Sequence, residues 1–595
     1  MQRFRLSEKY KKILYVFFPL VLLLYPLRHM FVGVEWWDTG YNYANFVFMD
    51  RMDPMWLFST YLGTALGHMF TLLPFGRTMV GLNIYTGLLV SVLALLGYYF
   101  FVRVVGISRW IAFWGEILAI SFCWCPTALL YNYLTYLLMA LGVFCLYRAL
   151  TEDRNKQRHI YFICAGIFLG INVFTRFPNL AQMGLIVAVW VMAVLRKEKP
   201  GKVLLSTLYC IIGYIIGLVA GFTVIAIQYG GKAYIEGIVR LLSMPSEATD
   251  YTIRTMVERQ FQNYLQNFHW LGYFVLIAMI CMIGYSFFGE KLIWLKRICT
   301  VMVFYVGLKY LFGKNMFNMK YSTKLSFFQW SAFLLSATLV ILTVVLVRNK
   351  FFSDKDKLLA GIAVLVILIT PLGSNNHLYS SVNNLFMIAP FTLWMLMRFM
   401  KWLPQKWKKV SLEPVKLVLA LMLCVITFQG VLFGVVYVFQ EADGGENLYT
   451  RIENNGILKG MRTSPERAKL ISEISAYVEE EGLQGTEVIL YGNIPAMSYY
   501  LDMPFAISAW PDLRSYNLDI MRSDLQELCG RIEHQRYSKP VILLEATTAE
   551  EMTDAASKDE KLQLIAAMIE DYDYTASFQN EKFVLFRADR KEENR

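Results

Sequence analysis

Residues 203–228 read VLLSTLYCIIGYIIGLVAGFTVIAIQ, an uncharged apolar run with Lys202 before it and Lys232 shortly after. About twenty such residues in a helix cross the hydrocarbon core of a bilayer. Runs of this kind recur along the first three quarters of the 595-residue chain, which is 56% hydrophobic and 17% charged. A soluble protein has roughly 45–50% apolar and about 25% charged residues. The composition excludes a soluble enzyme, a disordered scaffold and a single-anchor receptor. It leaves a polytopic α-helical membrane protein.

The net charge of +11 is unevenly spread. Residues 1–440 hold 40 Lys+Arg and 17 Asp+Glu, whereas residues 441–595 hold 17 and 29. Most basic residues lie between apolar segments, where membrane topology rather than nucleic acid is the usual reason for them. Apolar runs and their basic flanks give about thirteen spans, from 13–32 to 416–438. Alternate loops then carry the Lys and Arg: the N-terminus, 154–158, 196–202, 291–297, 348–357 and 401–416. This places the N-terminus in the cytoplasm of a cell-membrane protein and residues 441–595 outside it. The apolar stretch 55–73 would reverse that order if it crossed, so one or two helices at the outer surface are expected there. The outer loops 33–78 and 229–269 are long, and the second is expected to act as a mobile lid.

Two domains follow: a transmembrane catalytic unit over 1–440 and an extracytoplasmic α/β domain over 441–595. In the second, Ser464-Pro465-Glu466 reads as a capped helix start and Gly482 as its end. Residues 486–491 and 540–545 read as buried strands, 558–570 as a helix, and 574–578 with 582–587 as a closing hairpin. Its plain role is that of a structural or acceptor-guiding cap. Eight of the nine cysteines lie in apolar segments and only Cys529 lies in this tail, so no disulfide forms within it. Cys123 and Cys125 are expected to point away from each other on one helix.

The chemistry concentrates in Glu35-Trp36-Trp37-Asp38-Thr39-Gly40-Tyr41, directly after the first span. An interfacial aromatic belt with solvated acids accounts for such a stretch. So does a carboxylate held at the lipid–water boundary to take a proton from a hydroxyl, with Gly40 supplying a tight turn that aims Asp38. Arg176, in the turn Thr175-Arg176-Phe177-Pro178-Asn179, suits a phosphate or an acid of loop 33–53 equally. Lys314, Lys320 and Lys324 cluster in an outer loop, where lipid headgroups are the alternative partner. The turn 373–384, with Asn376 and His377, suits a sugar, a pyrophosphate or a capped helix start. Glu116 lies within a span, either functional or bonded to a neighbouring helix. Asp38 with Asp50 or Asp53 could hold a divalent metal, which no motif demands.

In layout the chain resembles the membrane-embedded glycosyltransferases of the GT-C type, among them protein mannosyltransferases and the lipid A aminoarabinose transferase. The features shared are Asp38 in the first outer loop, the helices expected over 55–73, the span count and the outer α/β domain. The resemblance implies a polyprenyl-phosphate-linked sugar donor, a glycan, lipid or protein acceptor, and Asp38 as general base. Glu35, Tyr41, Arg176, Lys314, Lys320, Lys324, Asn376 and His377 would then bind substrate. The chain departs from the protein mannosyltransferases, which have adjacent Asp-Glu where it has Asp38-Thr39. An inverting displacement follows, in which the acceptor attacks the anomeric carbon as polyprenyl phosphate leaves. The rival functions are a polyprenyl-linked glycan polymerase or ligase and a lipid-linked sugar transporter.

Overall fold

The computed structural model describes residues 8–123, 125–243, 253–287, 292–313, 324–347, 352–372, 384–403, 406–407, 410–441, 447–509, 512–534, 538–553 and 559–588. Every predicted span contains a helix, from Glu8–Leu24 to Glu413–Val436. Among the described residues, 6 helices are long and apolar enough to cross a membrane: Met79–Val105, Leu130–Thr151, Asn155–Phe174, Phe177–Arg196, Pro200–Tyr229 and Glu413–Val436. The chain is a membrane protein.

Helices Asn155–Ile171 and Pro200–Tyr229 pack with their backbones in contact. A Cβ on Gly166 would lie 2.2 Å from the Cys210 carbonyl, and one on Gly213 would lie 2.1 Å from that of Ile163. Gly170 and Gly217 repeat the arrangement one turn further along. Lipid offers no hydrophobic drive for helices to associate, so this close packing of small residues supplies it.

Residues 55–73 do not form one long helix. They lie in two short ones, Pro54–Ser59 and Tyr61–Thr71, the first capped by Asp53 through the Met55 N–H at 2.7 Å. The stretch 229–269, expected as a loop, is mostly helical where it is described: past Gly230, which ends helix Pro200–Tyr229, come Gly231–Ser243 and the start of Ile253–Phe287. Tyr234, Ile238 and Leu241 recur at helical spacing and pack the first of these against residues 54–58. Residues 244–252 lie outside the described residues.

Ser464 caps helix Pro465–Glu480 by accepting the Arg467 N–H, and Gly482 ends it with φ +60. A four-stranded sheet follows, made of β1 (Val488–Tyr491), β2 (Val541–Glu545), β3 (Tyr574–Gln579) and β4 (Phe583–Ala588) in the order β1-β2-β4-β3. β1 and β2 are parallel, with Val488 beside Val541, and β3–β4 is the expected antiparallel hairpin. Helix Leu518–Glu533 lies on the crossover that a parallel pair requires. The tail is not isolated from the apolar helices: in the short strand Arg462–Thr463, which pairs with Thr450–Arg451, Arg462 donates to the Phe31 carbonyl at 2.9 Å and accepts from Gly33 at 3.0 Å.

Candidate active site

Asp38 is the first residue of helix Asp38–Val47, and its side chain is partly exposed. Trp37 at the N-cap makes no side-chain cap. Glu35 supplies one from outside the helix, its carboxylate accepting the N–H of Trp37 at 2.5 Å and that of Thr39. Burial pushes the Glu35 carboxyl above its ordinary range, against the pull of these backbone bonds and of Arg467. Gly40 is not in a turn. It sits inside the helix where a Cβ would lie 2.5 Å from that of Ala496, so its role is close approach.

The residues after β1 grip this loop from above. Ala496 donates to the Trp36 carbonyl at 3.0 Å, Tyr500 to the Glu35 carbonyl at 2.6 Å, and Tyr41 to the Ala509 carbonyl at 2.6 Å. Burial raises the Tyr41 phenol, and Asp38 and Asp512 both act on it. Asp512 is 4% exposed; one of its oxygens accepts the Ser515 N–H at 2.8 Å and the other is buried without a hydrogen-bond partner. Glu35 and Tyr41, expected as substrate ligands, make these described bonds to protein.

Arg176 stands at the start of the 3-10 segment Phe177–Ile186. An amide network fixes its turn to helix Leu130–Thr151: Asn172 donates to the Thr135 carbonyl at 2.9 Å and to Gln182 at 2.8 Å, and Asn179 donates to the Thr135 hydroxyl at 2.8 Å. Tyr131, near the start of that helix, lies within electrostatic reach of both Arg176 and Asp38. Tyr41 acts on the same phenol, so Asp38, Tyr41 and Arg176 all lie within electrostatic range of Tyr131. Lys314, Lys320, Asn376 and His377 lie outside the described residues, and Lys324 is described only as the first backbone position of helix Lys324–Val347.

Two neighbours of the loop carry no sequence motif. Glu441 is buried, accepting from the Val34 N–H at 2.7 Å, from Arg467 at 3.1 Å and from the Thr463 hydroxyl. Burial pushes its carboxyl up to about 7, with Arg467 opposing and Glu35 adding to the rise. The Arg467 guanidinium also stacks over Trp36 at 5.2 Å. Neither residue announces itself locally, because the partners stand hundreds of positions away.

Among the described residues no metal site is formed. Asp53 is tied to Arg240 at 3.0 Å and to the Met55 N–H, Asp50 is exposed, and the described residues contain no group of three or more His, Cys, Asp or Glu that could hold an ion. Glu116 is fully buried against Gly97 of helix Met79–Tyr99, with neither oxygen hydrogen-bonded. Cys123 and Cys125 do not share a helix. Helix Arg109–Phe122 stops before them, as Pro126 favours extended backbone ahead of it, and both line one cavity.

No family model and no curated protein matches the chain. Several solved structures are similar to it. ArnT from Cupriavidus metallidurans, bound to undecaprenyl phosphate, is 11% identical with a TM-score of 0.39, over 98% of this chain and 99% of that one. The Archaeoglobus fulgidus oligosaccharyltransferase in complex with Zn and sulfate is 11% identical with a TM-score of 0.45, over 95% and 71%. AglB from Archaeoglobus fulgidus, with an inhibitory peptide and a dolichol-phosphate, is 12% identical with a TM-score of 0.44, over 98% and 75%.

Proposed function

We propose that the chain is an inverting glycosyltransferase of the GT-C type, moving a sugar from a polyprenyl-phosphate carrier to an acceptor at the outer face of the cell membrane. The observation that carries this is the convergence of Asp38 and Arg176 on Tyr131. A base and a cation within electrostatic range of one group are what such a displacement can draw on. Asp38 takes the proton of the acceptor hydroxyl, whose oxygen attacks the anomeric carbon. The bond to the phosphate oxygen breaks, and Arg176 stabilises the charge that develops there. Lys314, Lys320 and Lys324 would assist at the phosphate, and Asn376 and His377 at the sugar. Glu35 and Tyr41 would serve the site by fixing the start of the Asp38 helix.

In this scheme the chain crosses the membrane about thirteen times, with the N-terminus inside and residues 441–595 outside as an α/β domain. That domain covers the Asp38 loop through Ala496, Tyr500 and Ala509 and would guide the acceptor. Helix Gly231–Ser243, with the rest of 229–269, would keep water from the donor. No step requires a metal.

The test compares wild type with Asp38→Asn, each purified and incubated with labelled polyprenyl-phosphate sugars. Transfer or release of label by wild type alone supports the transferase and its base together. Equal turnover by both removes Asp38 from the mechanism. Lipid binding without turnover, across a panel of acceptors, would favour the transporter instead.

A further inference from the structure

Arg28 closes the outer end of the first apolar helix. Its Nε donates to the Gly434 carbonyl and its Nη1 to that of Tyr25 at 3.1 Å, with the Tyr25 ring 4.5 Å from the guanidinium carbon. Those bonds hold the group in place without neutralising it. Among the described residues Arg28 forms no ion pair, and Nη2 donates no hydrogen bond. A cation drawn partly out of water is favoured by an anion that answers it.

The space beside it is a partly open cavity with both polar and apolar walls. A cavity of about 120 Å³ is lined by Arg28, His29, Glu35, Cys123 and Tyr133, among others. A single water needs roughly 10–15 Å³ of such volume, so there is room for a phosphate group with water to spare. Tyr133 and Cys123 already bond each other, sulfur to hydroxyl oxygen, at 3.1 Å, and Tyr133 donates to the Cys125 carbonyl at 2.8 Å. Glu35 does not answer Arg28. Its oxygens accept from Trp37 and Thr39, and the cation acting on it is Arg467. The guanidinium is therefore the charged donor that this cavity offers, and its planar edge suits a phosphate oxygen.

We propose that the Arg28 cavity is an oxyanion site of phosphate size, separate from Arg176. The two cations flank the start of helix Leu130–Thr151: Tyr133 lines the cavity of Arg28, and Tyr131 lies within reach of Arg176. The occupant is a phosphate or phosphate ester, drawn from a lipid headgroup or from free phosphate. This site does not depend on the transferase function, because an anion can bind at Arg28 whatever Asp38 does.

The experiment uses wild-type protein in detergent and phenylglyoxal, which modifies arginine, with labelling of Arg28 read by peptide mass spectrometry. Inorganic phosphate and a short-chain, water-soluble prenyl phosphate are each added, against chloride at equal ionic strength. Several-fold slower labelling of Arg28 with either phosphate is the expected result. Protection by both marks a general phosphate site, by the prenyl ester alone a lipid-headgroup site, and by inorganic phosphate alone a free-phosphate site. Arg176→Gln should leave that protection intact; losing it there would mean one shared site and overturn the separation. No protection, or no labelling of Arg28 under any condition, would overturn the proposal by showing the cavity empty of anion or closed. Failure of the Asp38→Asn comparison leaves each of these outcomes readable.

Discussion

Gly40 meets Ala496 so closely that a Cβ on the glycine would lie 2.5 Å from the alanine Cβ and 2.8 Å from its carbonyl oxygen. The two residues belong to the loop that carries Asp38 and to the turn after β1, joined by the Ala496 bond to Trp36. Gly40→Ala forces a methyl group into backbone, which cannot yield as a flexible side chain does. Overpacking of this kind costs about 1–3 kcal/mol. The thermal midpoint in detergent should fall, and transfer activity with it. Ala496→Gly removes one of the two clashing methyl groups and should restore part of the loss. No change in either property in Gly40→Ala would show that the loop and the turn are not held together.

Arg176 sits in a turn that amides tie to helix Leu130–Thr151. Arg176→Gln should lower turnover by about 10²–10³-fold, the range for losing one transition-state donor. Asn179→Leu leaves the guanidinium present but cuts the bond to Thr135, and a smaller fall in turnover is expected with Arg176 chemically intact. Assays of both variants against wild type decide this. Equal activity in Arg176→Gln would take the cation out of the mechanism.

Some of this was legible in the sequence. Runs such as 203–228 declare a membrane helix by composition alone, and Ser464-Pro465 marks a helix start because capping is local chemistry. The hairpin β3–β4 was legible for the same reason. Gly40 was misread as a turn residue, since a helical glycine looks identical until the chain that packs on it, more than 450 positions later, is known. Cys123 and Cys125 were misread because the apolar run continues past the point where Pro126 ends the helix. Glu441 and Arg467 were missed altogether. What makes them matter is their meeting with Val34, Glu35 and Trp36, and no local pattern encodes a meeting over that distance. Asp38 and Arg176 could be named as candidates from type and depth; their nearness to one tyrosine could not.

Glu441 gives the contact between the Asp38 loop and the chain after the last apolar helix a pH dependence of definite sign. Its carboxyl is pushed up to about 7, above the value it has in an unfolded chain. The folded state therefore holds a proton there that the unfolded state has already lost. Stability conferred by that proton is present below about pH 4.5 and declines as pH rises toward 7. The thermal midpoint should fall over that window, by a free energy of about 1–3 kcal/mol. Glu441→Gln, neutral at every pH, should flatten this part of the slope. A slope identical in wild type and Glu441→Gln would assign it to other groups.

Arg240 ties three parts of the chain together. From helix Gly231–Ser243 it reaches Asp53 at 3.0 Å and Asp524 at 2.9 Å, and Tyr516 donates to the other oxygen of Asp524 at 2.7 Å. The guanidinium side chain is 39% exposed, so each pair is partly screened and worth about 0.2–1 kcal/mol. Removing the cation does more than delete two weak pairs, because it leaves Asp53 and Asp524 to act on each other without it. Arg240→Ala should lower the thermal midpoint and speed limited proteolysis near residues 231–243, with the difference shrinking at high salt. Asp524→Asn in the same background relieves the repulsion and should recover part of the loss. If Arg240→Ala matches wild type at low salt, the clamp is only a surface contact, and the apolar packing of Tyr234, Gly237, Ile238 and Leu241 holds the helix in place.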